Sequence, residues 1–159
     1  KNGIDTIFNV TAIDIKTTEA VSQVSRILDD EETTLVIYGL EAERLHLLSV
    51  KDFSLIKPMM PYFHTEIYQK LDVSILDHAI LEELLGLSPD MVGSHVSYTV
   101  DISEALKGIN DREYQLSIFV KPVKPEIIKS IADNSDRMPR KSTYFYPKIP
   151  AGLVFNLLR

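Results

Sequence analysis

The stretch from Thr34 to Val50, TLVIYGLEAERLHLLSV, decides the fold of this chain. Two runs rich in β-branched, aromatic and apolar side chains, Thr34 to Tyr38 and Arg44 to Val50, lie on either side of Gly39 and Glu41. Runs of this kind that are bounded by turn residues are typical of β-strands. The stretch therefore predicts a β-hairpin, which is the shortest connection between the two runs.

On the amino-terminal side of the hairpin the sequence predicts a strand and then a helix. Ile4 to Ile15 is rich in β-branched residues, with imperfect alternation. The apolar residues from Ala20 to Leu28 recur at helical spacing, and Thr17 or Thr18 is suited to cap that helix. The acidic run from Asp29 to Glu32 is expected to end it.

On the other side of the hairpin, residues 53 to 70 are predicted to be an irregular linker, because Pro58 and Pro61 interrupt any regular element. Asp72 is the expected cap of a helix that runs to Leu85 and ends at Gly86. The apolar residues of this helix cover more than one face, so we expect it to be buried on two sides.

The second half of the chain alternates between strand and helix patterns. It predicts, in order, the strand Ser94 to Val100, the helix Ile102 to Ile109, the strand Gln115 to Val120, the helix Glu126 to Asn134, and the strands Thr143 to Tyr146 and Gly152 to Leu157. These patterns predict an α+β fold with a mixed β-sheet and helices packed mainly on one face. At 159 residues we expect a single domain, 1–159, with a division into 1–60 and 61–159 left open.

Composition excludes several classes of function. There is no cysteine, so thiolate metal sites and disulfides are ruled out, and a reducing, cytoplasmic location is expected. No apolar run approaches the roughly 18 residues of a membrane span, so no membrane is expected as a partner. The net charge of −6 argues against nucleic acid as a partner, because such binding neutralises many phosphates at once. The chain begins at Lys1, and we expect it to be the carboxyl-terminal part of a longer protein.

The charge is unevenly distributed along the chain. Five basic residues and no acidic ones lie between Arg137 and Arg159, so the first 136 residues carry about −11 by subtraction. Within this terminal segment the candidate anion-binding residues are Arg140, Lys141, Ser142, Thr143 and Lys148, whose charges and hydroxyls can make charge-assisted hydrogen bonds to phosphate or carboxylate. A phosphate-binding loop of the Walker type is rejected, because Pro139 stands where that loop needs glycines. The alternative is that this segment neutralises part of the negative charge of the first 136 residues and forms a terminal pair of strands.

The histidines give weaker indications. His78 and Glu82 are four residues apart on a predicted helix, so both could reach one metal ion, but a third ligand is missing and an ion pair is the favoured interpretation. His46, His64 and His95 are isolated in sequence, which favours an ordinary structural or exposed side chain over a catalytic base. The sequence therefore predicts no metal site, and it identifies no cofactor and no catalytic residue.

Two parts of the sequence resemble a known family. The quoted residues are Met138, Pro139, Lys141, Ser142, Thr143, Phe145, Pro147, Lys148, Gly152, Leu153 and Val154, and, upstream, Leu71, Asp72, Val73, Leu76, Leu84, Leu85 and Gly86. Over roughly the last 90 residues the chain is similar to the carboxyl-terminal part of the bacterial domain-of-unknown-function family 1015. The resemblance implies a longer protein whose amino-terminal half has its own histidine and aspartate motifs, and it suggests small phosphorylated ligands. Asp77 departs from the family pattern, in which a histidine often follows Leu76 directly.

Two functional hypotheses follow. In the first, the domain forms one wall of a cleft in a cytoplasmic enzyme and binds the phosphate of a nucleotide or phosphorylated metabolite, while the catalytic residues lie in the missing amino-terminal half. In the second, it is a structural or dimerisation domain without a ligand site, and a homodimer is the expected assembly. The two differ in whether Arg140 and Lys141 face open space or lie against carboxylates.

Overall fold

The computed structural model describes residues 3–16, 19–29 and 34–143. Its centre is a four-stranded sheet with the order β1-β3-β2-β4. The strands are β1 (Phe8–Asp14), β2 (Leu35–Tyr38), β3 (Arg44–Val50) and β4 (Ser117–Val120). The hairpin of β2 and β3 is confirmed, with Leu35 opposite Leu48 and Tyr38 opposite Leu45. The α+β class is confirmed as well.

The helices of the described residues surround this sheet. They are α1 (Ile4–Ile7), α2 (Ala20–Leu28), α3 (Phe53–Ile56), α4 (Glu66–Gln69), α5 (Asp72–Ile75), α6 (Pro89–His95), α7 (Ile102–Asn110) and α8 (Pro125–Asp133). A 3₁₀ turn (Lys57–Met59) follows α3, and a π-helix (Leu76–Leu84) continues α5. The predicted helices at 20–28, 102–109 and 126–134 are thus present. No helix in the described ranges is long and apolar enough to cross a membrane.

The sheet differs from the expected arrangement in two ways. All strand pairs of the described residues are antiparallel, whereas a mixed sheet was predicted. Helices also cover both faces of the sheet instead of mainly one. The reason is β2, whose four residues are all buried. Leu35 and Ile37 pack with Ile80 of the π-helix, while Val36 and Tyr38 belong to a second cluster with α2 and α7. A central strand that is apolar on both faces needs a layer on each side.

Residues on both sides of position 60 build this one sheet. Strand β4 pairs with β2, so Phe119 lies opposite Val36. The cluster on the π-helix face combines Phe8 and Leu48 with Ile75 and Ile80. The first 60 residues and the remainder therefore share their hydrophobic core.

Two predicted elements have another conformation in the structure. Residues 94–100, predicted as a strand, form the end of α6 and an irregular segment, because Pro89 begins a helix after Ser88. Val100 is left 73% exposed. Residues 4–7, expected within the first strand, form a helical turn before β1. The predicted linker at 53–70 contains α3, the 3₁₀ turn and α4.

The helix predicted from Asp72 to Leu85 is present with a different beginning. Leu71 occupies the N-cap position, and Asp72 is the first helical residue, with its carboxylate 3.4 Å from Lys121 Nζ. From Leu76 the helix widens to π geometry, and Leu85 N–H donates to Ile80 C=O. Gly86, at φ +68°, ends it as predicted. The caps Thr17 and Thr18 and the strand 152–157 lie outside the described residues, as does 143–146 apart from Thr143.

Candidate functional site

The carboxylate of Asp136 joins two parts of the chain that are far apart in sequence. Its Oδ2 accepts hydrogen bonds of 2.8 Å from the N–H and the Oγ1 of Thr65. Its Oδ1 lies 2.5 Å from His64 Nδ1 and accepts a 2.8 Å bond from the N–H of Arg137. The side chain of Asp136 is only 9% exposed. The loop before α4 and the segment after α8 are therefore held together at this one carboxylate.

Burial by itself would raise the pKa of Asp136, but the hydrogen bonds reverse the effect. The Thr65 backbone N–H, the His64 ring, the Thr65 hydroxyl and the Arg137 N–H together place this pKa well below its ordinary range. An ionised carboxylate only accepts hydrogen bonds. The proton shared with His64 therefore belongs to Nδ1, and in the neutral ring Nε2 carries the lone pair.

The His64 ring is fixed from the side as well. It stacks on Tyr68 with a centroid distance of 3.7 Å and an interplanar angle of 8°, and Phe63 lies at 4.6 Å. In the described part of the chain no hydrogen bond reaches His64 Nε2. Nε2 is also not a fully buried atom that lacks a partner among the described residues. Nε2 is thus accessible, while the rest of the ring is packed and oriented.

Local hydrogen bonds fix the conformation of both segments. Thr65 is the N-cap of α4, and its hydroxyl accepts from Tyr68 N–H. The side-chain amide of the buried Gln69 donates to the carbonyl oxygens of Pro61 and His64, and these bonds fix the loop that precedes α4. After α8, Ser135 adopts φ +55°, and Asp136 N–H donates to Ile131 C=O. The left-handed residue turns the chain so that the next side chain faces the loop.

The π-helix brings a second group of titratable residues to this region. His78 Nδ1 lies 2.9 Å from Glu82 Oε2, so the predicted pairing of these residues is present. His78 Nε2 is buried and has no hydrogen-bond partner in the part of the chain that the structure describes. Burial raises the pKa of Asp77 to about 6, opposed by the charge of His78 and supported by that of Glu82. Turns of π-helix are frequent at functional sites.

Tyr68 and Tyr98 connect these groups electrostatically. Burial raises the pKa of Tyr68, and the charges of Asp77 and Asp136 add to the effect. Burial also raises the pKa of Tyr98, where Asp77 acts in the same direction and Arg140 opposes it. Asp77 therefore lies within electrostatic range of both phenols, whereas Asp136 acts on Tyr68 and Arg140 on Tyr98. The Tyr68 ring is 6.4 Å from that of His78.

The predicted anion-binding segment begins directly after Asp136. Pro139 is buried, whereas Arg140, Lys141 and Thr143 are exposed. Ser142 Oγ donates to Pro139 C=O at 2.7 Å, and Lys141 adopts φ +60°. Among the described residues no carboxylate forms an ion pair with Arg140 or Lys141. The fifth predicted residue, Lys148, lies outside the described residues.

Sequence analysis did not single out His64 and Asp136 as a pair. Seventy-two positions separate them, so no local spacing brings them together. A partial signal is present, since Thr65 and Glu66 have the form of a helix start next to His64. The other isolated histidines remain apart from this group, with His46 buried near Glu41 and His95 exposed at the end of α6.

The arrangement has the chemical means to bind an anion and to accept a proton. In the described ranges no three His, Asp or Glu side chains are placed to hold a metal ion. No family model, no curated protein and no solved structure matches this chain.

Proposed function

We propose that this domain binds the phosphate of a nucleotide or phosphorylated metabolite through the segment from Arg140 to Thr143. The main support for the proposal is that Arg140 and Lys141 are exposed and form no ion pair with a described carboxylate. They stand four and five residues after Asp136, whose four hydrogen bonds fix the start of this segment. A preorganised pair of cations binds an anion without first losing another partner.

Each residue has a distinct part in the proposal. The guanidinium of Arg140 matches two phosphate oxygens, and Lys141 adds a point charge. The hydroxyl of Thr143 orients the group, whereas Ser142 Oγ donates to Pro139 C=O and must leave that bond before it can donate to a phosphate oxygen. Lys148 is included in the proposed site because of its place in the basic sequence segment alone.

The wider context is also proposed. We propose, in line with the resemblance expected from the sequence, that the domain belongs to a cytoplasmic enzyme of the domain-of-unknown-function family 1015 type that acts on phosphorylated compounds. Further residues of the chemical step would lie outside this chain. The domain would then form one wall of the cleft.

Thermal shift measurements test the anion site, because a ligand that binds only the folded state raises the melting temperature. The probes are inorganic phosphate, sulfate, phosphoserine, ATP and CTP. We expect phosphorylated probes to stabilise the wild type but not Lys141→Ala. The control is Lys107→Ala, which removes an exposed lysine of α7, and it should respond like the wild type.

A second variant separates binding from folding. Lys141→Gly removes the same charge and relieves the left-handed conformation at this position, so it should fold at least as well as Lys141→Ala. Loss of the thermal shift in both variants supports the site. An equal shift in the wild type and both variants would disprove it.

The second candidate function is that of a structural or dimerisation domain. Tyr62 and Phe63 favour it, because they are 92% and 72% exposed and contact each other edge to face at 5.6 Å. Exposed aromatic pairs of this kind are common in protein interfaces. Light scattering after size exclusion tests this function, with Tyr62→Ser and Phe63→Ser as the variants. A dimer that becomes monomeric in them, together with no thermal shift by any anion, would favour this function over the first.

A further inference from the structure

We propose that His64 is the proton acceptor of this site and that Asp136 is its positioning residue. The inference rests on the proposed anion site for its ligand, a hydroxyl or water next to a bound phosphate. The sequence favours an ordinary side chain at His64, whereas the tertiary contacts orient its ring between Asp136 and Tyr68. A base needs a defined lone pair, a fixed ring and access to the proton that it accepts.

The lone pair is defined by Asp136. Both oxygens of this carboxylate are occupied, with Thr65 on Oδ2 and His64 together with Arg137 N–H on Oδ1. Since a carboxylate cannot donate, the neutral ring must carry its proton on Nδ1. Nε2 is then an acceptor. A carboxylate that holds an imidazole in one tautomer also stabilises the imidazolium that forms after proton transfer.

The ring is fixed by stacking. Tyr68 covers one face in a nearly parallel arrangement, and Phe63 contacts the ring at a tilt of 43°. The His64 side chain is 19% exposed, and Nε2 has no partner among the described residues. The ring is therefore partly exposed, and Nε2 is not one of its fully buried atoms without a partner among the described residues.

The charges around His64 come from several elements. Asp136 faces it from the segment after α8, and Tyr68 from α4. Asp77 and Glu82 of the π-helix act on Tyr68, and His78 lies beyond that ring. Arg140 acts on Tyr98 from the basic segment. A proton taken up at Nε2 is thus balanced by the carboxylate of Asp136, and Asp77 and Glu82 act on the adjoining Tyr68.

The proton balance is simple. The hydroxyl or water gives its proton to Nε2, the O–H electron pair stays on the oxygen, and the imidazolium is paired with ionised Asp136. The proton returns from Nε2 to solvent in a later step, so His64 is unchanged overall. The proton transfer itself changes no oxidation state.

The tautomer is measured by long-range ¹H–¹⁵N NMR on the ¹⁵N-labelled chain, at a pH where the spectrum shows neutral His64. We expect the proton on Nδ1. In Asp136→Ala no carboxylate accepts from Nδ1, so the proton should move towards Nε2, the tautomer that an unconstrained neutral histidine prefers. The control is the exposed His95, whose ring should show the same tautomer in both proteins. A wild-type ring protonated on Nε2 overturns the proposal, even where the variant fails to fold.

A phosphate titration then connects His64 with the anion site. We expect the Nε2 resonance to shift on addition of inorganic phosphate, with no such shift in Lys141→Ala, which should retain the Nδ1 tautomer. If phosphate shifts the amides of residues 140–143 and leaves Nε2 unmoved, the anion site stands and the role of His64 is refuted. If no resonance responds while Nδ1 carries the proton, the proposed function itself fails and His64 loses its assigned role with it.

Discussion

Thr65 donates two hydrogen bonds of 2.8 Å to Asp136 Oδ2, one from its backbone N–H and one from its hydroxyl. The same hydroxyl accepts from Tyr68 N–H as the cap of α4. One threonine side chain therefore supports both the loop and the helix that surround His64. The consequences of this relationship can be measured.

We expect Thr65→Val to lower the free energy of unfolding by about 2 kcal/mol, from the loss of a helix cap and of a hydrogen bond to a charged group. Valine preserves the shape of the side chain but has no hydroxyl. Thr65→Ser is the control, because it retains both bonds. Urea denaturation gives the two values, and equal stability of the valine and serine variants would show that the hydroxyl is not used.

Asp77 should make stability depend on pH. Burial raises its pKa in the folded state to about 6, so between pH 4 and 6 the folded chain binds more protons than the unfolded chain. Stability attributable to Asp77 therefore falls as the pH rises through this window. Asp77→Asn should abolish this fall and stabilise the protein at pH 7 by about 1 to 2 kcal/mol, allowing for screening by solvent.

The Asp77 prediction is checked by urea denaturation at pH 4, 5, 6 and 7. Asp29→Asn is the control, because this aspartate is exposed after α2, and it should keep the wild-type pH profile. Parallel profiles for the wild type and Asp77→Asn would contradict the prediction.

Two glycines should respond to alanine in opposite ways. Gly39 has φ +108°, and a Cβ there would lie 2.5 Å from Gln115 C=O, so Gly39→Ala forces backbone atoms apart. We expect it to destabilise the fold by about 3 kcal/mol or more. Gly93 in α6 has nothing within 4 Å of such a Cβ, and Gly93→Ala should stabilise by about 0.5 to 1 kcal/mol. Thermal denaturation of both variants gives the signs, and any stabilisation by Gly39→Ala would refute the close approach to Gln115.

The orientation of α2 is tested by two valines of the same helix. Val24 is fully buried in the cluster with β2, whereas Val21 is 41% exposed. We expect Val24→Ala to cost about 2 kcal/mol and Val21→Ala to be neutral or slightly stabilising, because alanine is the better helix former. Chemical denaturation separates them, and equal costs would mean that α2 packs through another face.

The sequence patterns predicted the elements whose periodicity is strong and local. The hairpin of β2 and β3 and the helices α2, α7 and α8 were found because apolar residues recur at the period of one structure only. Residues 94–100 were predicted as a strand, since Val96, Tyr98 and Val100 alternate, but the helix begun at Pro89 extends to His95. Tertiary context decided that segment, because its side chains find no sheet to pack against.

The candidate site was predicted in part. Arg140, Lys141, Ser142 and Thr143 were selected for their charges and hydroxyls, which are properties of the residues themselves. The role of His64 could not be inferred, because the group that orients its ring is Asp136, which is 72 residues later in the sequence. The pairing of His78 with Glu82 was predicted, since four residues on a helix bring two side chains together.

By itself, the sequence determined the α+β class, the central hairpin and the concentration of positive charge after Asp136, because these depend on composition and on short-range periodicity. Only the tertiary structure decided that helices cover both faces of the sheet, that the π-helix places Asp77 in a buried environment, and that His64 receives a carboxylate. The physical reason is that burial and hydrogen bonding between distant segments depend on how the whole chain packs. No window of neighbouring residues contains that information.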